Sequence, residues 1–227
     1  MPETDRHSKA LEPDLVGDPD ERARVEAANG LRQYDQVLDL VRHWTLPEHA
    51  GFKLRVSTLL GLQRTALEGL SSYAGNFRPG PVEIGKSRHI PPPAFRVPEL
   101  VEEMCDYVNE NWSSKPATHL AAYVMWRLNW IHPFADGNGR TSRAVSYLVL
   151  CIRSGYLLPG DNTIPEQITK NKQPYYDALE AADEAWKTTG CIDLSAMEAL
   201  MSAGLATQLA DYHRTATGGP KEVPAGS

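Results

Sequence analysis

Cysteine is scarce in this chain, and no two cysteines have the spacing of a redox motif. The 227 residues include only Cys105, Cys151 and Cys191, each isolated within an apolar helical pattern. An odd number of cysteines without CxxC spacing is typical of reduced thiols in a cytosol-like compartment. The pattern argues against a disulfide scaffold and predicts a cytoplasmic protein.

Long apolar runs and an excess of basic residues are also missing. No apolar stretch approaches the about 20 residues of a membrane span. The first residues, MPETDRHSKALEPD, are polar and charged, so no signal peptide is expected. The formal net charge is −6, whereas a nucleic-acid backbone calls for a basic surface. The sequence therefore predicts a protein without a membrane or a nucleic acid as its main partner.

Helical periodicity dominates the rest of the chain. Prolines and caps predict helix starts near residues 19, 98, 116, 174 and 193, and the apolar positions predict two more helices near residues 54 and 140. Gly155 is expected to end the helix that begins near Arg140. The expected organisation is a disordered tail over 1–18, an accessory helix over 19–50, the main domain over 51–190, a packed C-terminal helix over 191–214 and a second disordered tail over 215–227.

Residues 71–97 interrupt the helical pattern with many glycines and prolines. Two short extended pieces, Val82–Ile84 and Arg88–Ile90, flank Gly85-Lys86-Ser87, which predicts a small hairpin or flap. Two strands are not stable alone in water, so the flap must lean on the helices. The predicted fold class is an all-α helical bundle with a small β-hairpin flap.

The most informative segment, His132–Arg143, reads HPFADGNGRTSR and lies between two predicted helices. Gly137 and Gly139 permit backbone angles that other residues resist and allow a ligand to approach the main chain closely. The following helix presents unpaired N–H groups and the positive end of its dipole at this loop. Together these features predict a site for an anion such as phosphate.

The charged residues of the segment fit the same interpretation. Arg140 and Arg143 share one face of the first helical turn, where acidic residues are normally favoured, and a polyphosphate would explain them. Asp136 is a natural oxygen ligand for Mg²⁺ carried on phosphates. His132 is a histidine, whose ordinary pKa near neutrality suits a general base. Each feature alone is most often a cap, an ordinary turn or a solvated face, but their combination favours function.

HPFADGNGRTSR resembles the signature of the Fic family, HxFx(D/E)GNGRxxR, at every specified position. The resemblance extends to roughly residues 54–186, including the flap EIGKSRHIPPP and the helix that contains PYYDALEAADE. It implies an all-α bundle with a hairpin flap. It also implies an enzyme that transfers AMP from ATP to a Tyr, Thr or Ser hydroxyl of a target protein and releases pyrophosphate.

The resemblance also implies roles for individual residues. His132 would take the proton from the target hydroxyl, and Asp136 would hold Mg²⁺. Phe134 would anchor the loop in the core. The implied nucleotide-binding set is Asp136, Gly137, Asn138, Gly139, Arg140, Thr141, Ser142 and Arg143, with Glu83, Ile84, Gly85 and Lys86 of the flap and the aromatic pair Tyr175 and Tyr176. Asp183 stands where some relatives carry Asn.

The flap and the regulation of the site lead to further expectations. An exposed flap edge over residues 82–90 could dock an extended target segment by strand addition. Many Fic proteins carry an inhibitory (S/T)xxxE(G/N) helix, but Arg64 occupies its Ser/Thr position in the segment ending Glu68-Gly69. We therefore interpret Glu68 as structural, which leaves inhibition by a separate protein, or no inhibition, as alternatives.

Two alternatives to AMP transfer stay open. One keeps the fold and changes the transferred group to UMP, phosphate or phosphocholine. The other is a nucleotide-binding regulatory module with little turnover. The intact Asp-Gly-Asn-Gly-Arg loop favours nucleotidyl transfer over the first alternative, and the retained His132 counts against the second.

Overall fold

The computed structural model describes residues 6, 8–10, 12, 13, 15–49 and 51–218. Over these residues the chain is almost entirely helical, which confirms the predicted all-α class. The helices are α1 (Pro19–Trp44), α2 (Val56–Leu67), α3 (Val97–Glu110), α4 (Ala117–Ile131), α5 (Asn138–Ser154), α6 (Ile164–Lys170), α7 (Gln173–Thr189) and α8 (Ser195–Ala216).

Local signals explain most of the helix boundaries. The Asp18 side chain accepts a hydrogen bond of 2.9 Å from the Asp20 amide, and Pro19 occupies the first turn of α1. Gly155 ends α5 in the left-handed conformation at φ 85°. Helix α6 was not predicted, because its seven residues are too few for an apolar period to be recognised.

The centre of the bundle is formed by α4 and α5, which pack against each other. Every residue of α4 from Leu120 to Leu128 is buried, since α3, α5, α7 and α8 surround this helix. Helix α5 is buried continuously from Val145 to Ile152. The short connection between these two helices, residues 132–137, is consequently fixed at one end of the core.

The flap pairs differently from the expected hairpin. Its strand β2 (Glu83–Ile84) lies antiparallel to β1 (Ser8–Lys9), with Ser8 opposite Ile84 and Lys9 opposite Glu83. The predicted strand at Arg88–Ile90 does not form. Three consecutive prolines follow it and lack N–H donors, and the His89 side chain is held by the Trp130 carbonyl at 2.7 Å.

The predicted boundaries of the domain and its tails stay predictions. Eight of the 18 residues of the first predicted tail and nine of the 13 residues of the second lie outside the described residues, and Ser8–Lys9 of the first tail forms β1. In the described part of the chain, no helix has both the length and the apolar character needed to cross a membrane.

Candidate functional site

His132 terminates α4 in an unusual backbone conformation. It adopts the left-handed region at φ 51°, which costs a non-glycine residue of order 1 kcal/mol or more. Three hydrogen bonds hold this geometry. The His132 amide donates to the Leu128 carbonyl at 2.9 Å, the His132 carbonyl accepts from Arg78 Nε at 2.8 Å, and the Pro133 carbonyl accepts from the Arg78 amide at 2.9 Å.

The imidazole of His132 is buried, with 5% of the residue exposed. Its Nδ1 lies 3.3 Å from the Asn129 carbonyl and its Nε2 lies 2.8 Å from the Ser8 hydroxyl. A carbonyl only accepts, so Nδ1 carries the proton and Nε2 offers a lone pair to the hydroxyl. The pKa of His132 is lowered to about 3, mainly by burial; the Asn129 carbonyl opposes this shift, and the neighbouring His89 and Arg78 contribute to it. The ring is therefore neutral at physiological pH and available to accept a proton.

Asn138 and Phe134 fix the loop that follows. Phe134 is fully buried and packs against Phe77, which agrees with its expected role as an anchor. The Asn138 side chain accepts from the Phe134 amide at 2.9 Å and donates to the Phe134 carbonyl at 2.8 Å. It also reaches the Ser8 hydroxyl at 3.3 Å. In this structure the Asn138 side chain stabilises the loop, and its predicted contact with phosphate stays a prediction.

Gly137 cannot be replaced without strain. Its φ is 79°, and a Cβ added there would lie 2.4 Å from Cδ2 of the fully buried Leu67. Both the backbone angle and the packing against α2 therefore require glycine. At Gly139 an added Cβ would lie 3.3 Å from Nη1 of Arg143, so this glycine leaves room for the guanidinium group.

Asp136 points its carboxylate toward positive groups. Its Oδ1 accepts from the Gly137 amide at 2.6 Å, and its Oδ2 lies 3.5 Å from Arg140 Nη2 and 3.7 Å from Arg22 Nη2. Among the described residues no cluster of three or more His, Cys, Asp or Glu side chains could hold a metal alone. Mg²⁺ is commonly held by one or two carboxylates together with substrate phosphates, and Asp136 fits that arrangement.

The first turn of α5 packs against α7. Burial lowers the pKa of the Arg143 guanidinium, while the adjacent Tyr175 phenol acts in the opposite direction. Ser142 donates to the Gly139 carbonyl at 3.0 Å, accepts from Asn129 Nδ2 at 2.8 Å and lies 3.4 Å from the Tyr175 hydroxyl. Thr141 is fully buried beside it. Ser142 and Thr141 thus support the first turn of α5 from its buried side.

A cavity of about 720 Å³ unites these elements. The predicted site residues that line it are His132, Asp136, Gly137, Asn138, Gly139, Arg140, Arg143, Ile84, Tyr175 and Tyr176. The predicted residues that do not line it are Thr141, Ser142, Glu83, Gly85 and Lys86. The two hydroxyl residues face the core instead. In the flap, only the side chain of Ile84 among the four predicted residues is directed at the cavity, since strand residues alternate between faces.

Sequence reasoning missed a whole wall of this cavity. Helix α1 contributes four residues to the lining, namely Arg22, Ala23, Glu26 and Ala27. The other lining residues that the sequence did not predict, or left open, are Arg6, Ser8, Ser87, His89, Asn129, Thr169, Lys172, Leu179 and Asp183. The α1 positions are spaced as one helical face, which is the signal that could have identified them. Two of these residues are charged and two are alanines, so this face of α1 resembles an ordinary solvent-exposed helix face.

The half-buried Asp183 of α7 also lines the cavity. Asp183 accepts from the Trp126 indole at 2.9 Å, and its other oxygen lies 3.8 Å from His89 Nδ1. Burial raises the pKa of Asp183, and the nearby His89 opposes that shift. The part of the flap that contains His89 is therefore held to α4 by the Trp130 carbonyl and to α7 by Asp183.

Glu68 takes no part in the site. Its carboxylate lies 2.7 Å from Arg32 of α1, both side chains are exposed, and its carbonyl accepts from Asn29 at 2.8 Å. These contacts join α1 to the end of α2. They agree with the structural interpretation of Glu68.

Residues 53–150 match the family model described as the Fic/DOC family. Curated proteins named "Protein adenylyltransferase Fic" from Drosophila willistoni and Drosophila persimilis are 33% and 34% identical to this chain over 134 residues. Each match covers 58% of this chain and 25% of the relative. The chain thus spans about a quarter of the length of these relatives.

Solved structures share the fold at lower sequence identity. A Fic family protein from Desulfovibrio desulfuricans G20 has a TM-score of 0.62 at 21% identity and covers 91% of this chain and 57% of its own. Fic-1 from C. elegans (aa134 - 508) has a TM-score of 0.64 at 22% identity and covers 84% and 52%. BepC from Bartonella tribocorum, solved with bound AMPPNP, has a TM-score of 0.53 at 13% identity and covers 83% and 88%. These likenesses support the helical fold.

Proposed function

Because residues 53–150 match the family model of the Fic/DOC family, we propose that the protein transfers AMP from ATP to a protein hydroxyl group and releases pyrophosphate. One observation carries the proposal. A buried, neutral histidine offers Nε2 to a hydroxyl group at 2.8 Å, next to a helix start bearing two arginines. The curated relatives are named protein adenylyltransferases, which supports ATP as the donor.

His132 acts as the general base in this proposal. Asn129 fixes the tautomer, so Nε2 takes the proton of the attacking hydroxyl while Nδ1 keeps its own. The pKa of His132 is about 3 in the protein alone, which makes it a weak base before ATP binds. Bound phosphates place negative charge beside the ring and raise that pKa, which favours proton transfer when the donor is in place.

In this proposal the loop 132–137 and the start of α5 bind the phosphates. The amides at the start of α5 and the guanidinium groups of Arg140 and Arg143 provide donors for negatively charged oxygens. Asp136 would hold Mg²⁺ against the phosphates, and the ion would neutralise charge as pyrophosphate departs. Catalysis of this kind depends mainly on positioning and on electrostatic stabilisation.

The nucleoside and the target occupy the two sides of the flap in this proposal. Tyr175, Tyr176 and Ile84 all line the cavity, which supports a nucleoside pocket between α7 and the flap. In this pocket Glu83, Gly85 and Lys86 would border the nucleotide. A target segment would add to the flap along residues 82–90. We place the reaction in the cytoplasm on the basis of the isolated cysteines.

The test is the transfer of label to protein from ATP labelled at the α- or the γ-phosphate, with Mg²⁺ present. Wild type should transfer the α-label, and His132→Ala should reduce transfer by about 10²- to 10⁴-fold, the usual contribution of a general base. His213→Ala, on an exposed part of α8, is the matched control and should leave transfer unchanged.

Other outcomes would contradict the proposal in different ways. Transfer of the γ-label alone would indicate phosphoryl transfer. ATP binding by calorimetry without transfer of label from any nucleotide would indicate a regulatory nucleotide-binding module.

A further inference from the structure

A segment of the chain itself lies where a target protein is expected to dock. Strand β1, Ser8–Lys9, pairs antiparallel with β2 of the flap. Strand addition to an exposed edge is a common mode of peptide recognition, in which main-chain hydrogen bonds hold the peptide in register. The register places Ser8 opposite Ile84, the flap residue that lines the cavity.

This register directs the Ser8 side chain at the base. The Ser8 hydroxyl lies 2.8 Å from His132 Nε2 and 3.3 Å from Asn138 Nδ2. Nε2 is the unprotonated nitrogen, so the hydroxyl donates its hydrogen to the atom that would remove it. A general base must lie within about 2.6–3.2 Å of the group it deprotonates, and Ser8 meets that condition.

Arg6 anchors the segment on the other side of Ser8. Its amide donates to the Tyr176 hydroxyl at 3.3 Å, and its guanidinium carbon lies 4.3 Å from the centre of the Tyr176 ring. The guanidinium group also forms an ion pair with Glu180 of α7. Ser8 is therefore held between a paired strand and an anchored arginine.

The other hydroxyl groups of the cavity are placed less favourably. Ser87, Thr169, Tyr175 and Tyr176 also line it. The Tyr175 phenol is buried beside Ser142, and burial raises its pKa. The Tyr176 hydroxyl accepts from Arg6. Within the described part of the chain, Ser8 is the hydroxyl that contacts the His132 ring.

We propose that Ser8 is an intramolecular acceptor, so that the enzyme attaches AMP to its own N-terminal segment. This inference rests on the adenylyl transfer proposed above. The Ser8 oxygen forms a bond to the α-phosphorus of ATP, the bond from that phosphorus to the bridging oxygen breaks, and pyrophosphate leaves. The hydroxyl proton passes to His132 Nε2. The product is a serine phosphodiester with AMP.

The experiment uses the full chain with α-labelled ATP and Mg²⁺, followed by digestion after glutamate and fragmentation mass spectrometry of the 4–12 fragment. Wild type should carry AMP on Ser8. Ser8→Ala should lose this label completely, and Ser8→Thr should retain it at position 8. Ser202→Ala, at an exposed position on α8, is the matched control and should be labelled on Ser8 like wild type.

A mixture of two variants tests whether the reaction is intramolecular. His132→Ala retains the acceptor, and Ser8→Ala retains the base, so the mixture should show at least tenfold less Ser8 label than wild type at equal concentration. The rate per chain in wild type should not change on tenfold dilution. Strong labelling of His132→Ala by Ser8→Ala would overturn the intramolecular route.

Failure of this inference is distinguishable from failure of the proposed function. Label that depends on His132 and appears on other residues or on added cell proteins, but not on Ser8, would overturn the inference and leave adenylyl transfer standing. The absence of any His132-dependent label, with and without added proteins, would overturn both.

Discussion

The loop at the start of α5 and the flap face each other across one cavity, yet they are built in opposite ways. Phe134 of the loop is at most 1% exposed, and so are Asn138, Thr141 and Ser142 at the start of α5. The flap has a two-residue strand, and its Ile90 is 87% exposed. The groups proposed for chemistry therefore sit on the core, whereas the surface proposed for recognition depends on few contacts.

This difference suits the different roles proposed for the two regions, catalysis for the loop and target recognition for the flap. Catalytic groups need positions accurate to a fraction of an ångström, which buried packing provides. A recognition edge must accept and release a strand, so shallow packing suits it. Substitutions in the two regions should therefore differ in their effects on stability.

Gly137→Ala should damage the loop most. The substitution combines a left-handed backbone angle with a contact of 2.4 Å to Leu67, so we expect a loss of about 2–4 kcal/mol in the free energy of unfolding. Chemical denaturation measures it. Gly30→Ala in α1, where nothing lies within 4 Å of an added Cβ, should instead stabilise by about 0.5–1 kcal/mol. Equal effects of the two substitutions would contradict the special role of Gly137.

Arg78→Met should remove the hydrogen bonds that join the flap to the loop at His132. The Arg78 guanidinium donates to the carbonyls of His132, Gly80 and Pro92, so its loss leaves one buried and two partly buried acceptors unsatisfied at a cost of about 2–3 kcal/mol. Hydrogen exchange should accelerate in residues 80–93. Arg88→Met, at an exposed flap position, is the matched control and should leave exchange there unchanged.

His132 should make stability depend on pH. Its pKa is lowered from 6.5 to about 3, so below pH 6.5 the unfolded chain binds a proton that the folded chain does not. The free energy of unfolding should fall as the pH drops through this window, by about 1–2 kcal/mol between pH 7 and pH 5. His132→Gln should remove this part of the dependence. A ring that titrates near pH 6.5 in an NMR experiment would contradict the assignment.

Ile90→Ser should have the smallest effect on stability. The side chain is 87% exposed, so the free energy of unfolding should change by less than about 0.5 kcal/mol. AMP transfer to a protein target should weaken several-fold if the flap docks it. Leu31→Ser, also exposed but on α1, should leave transfer unaffected. No loss of transfer at Ile90 would remove this residue from the docking surface.

The two regions also differed in how well the sequence predicted them. The helices and the loop follow from local signals, namely apolar periodicity, Pro19, Gly155 and the contiguous string His132–Arg143. The buried positions of Thr141 and Ser142 were not predictable, because a helical residue's exposure depends on which helix packs against it. Tyr175 and Asn129, for example, contact the Ser142 hydroxyl.

The pairing of the flap depended on a distant segment. The sequence indicated an extended piece at Val82–Ile84, but its partner Ser8–Lys9 is more than seventy residues away, in a polar stretch without strand periodicity. Short strands carry too few residues to specify pairing by pattern. The contact between Ser8 and His132 could not be predicted from the sequence for the same reason.

Helix α1 has a practical consequence for defining the smallest active unit of this protein. It ends at Trp44, before the family match begins at residue 53, yet Arg22 and Glu26 form one wall of the cavity and α1 packs on α2 and α5. A fragment cut at the family boundary would expose the buried faces of those helices and open the cavity to solvent. The boundary recognised by sequence similarity is therefore narrower than the folding and binding unit.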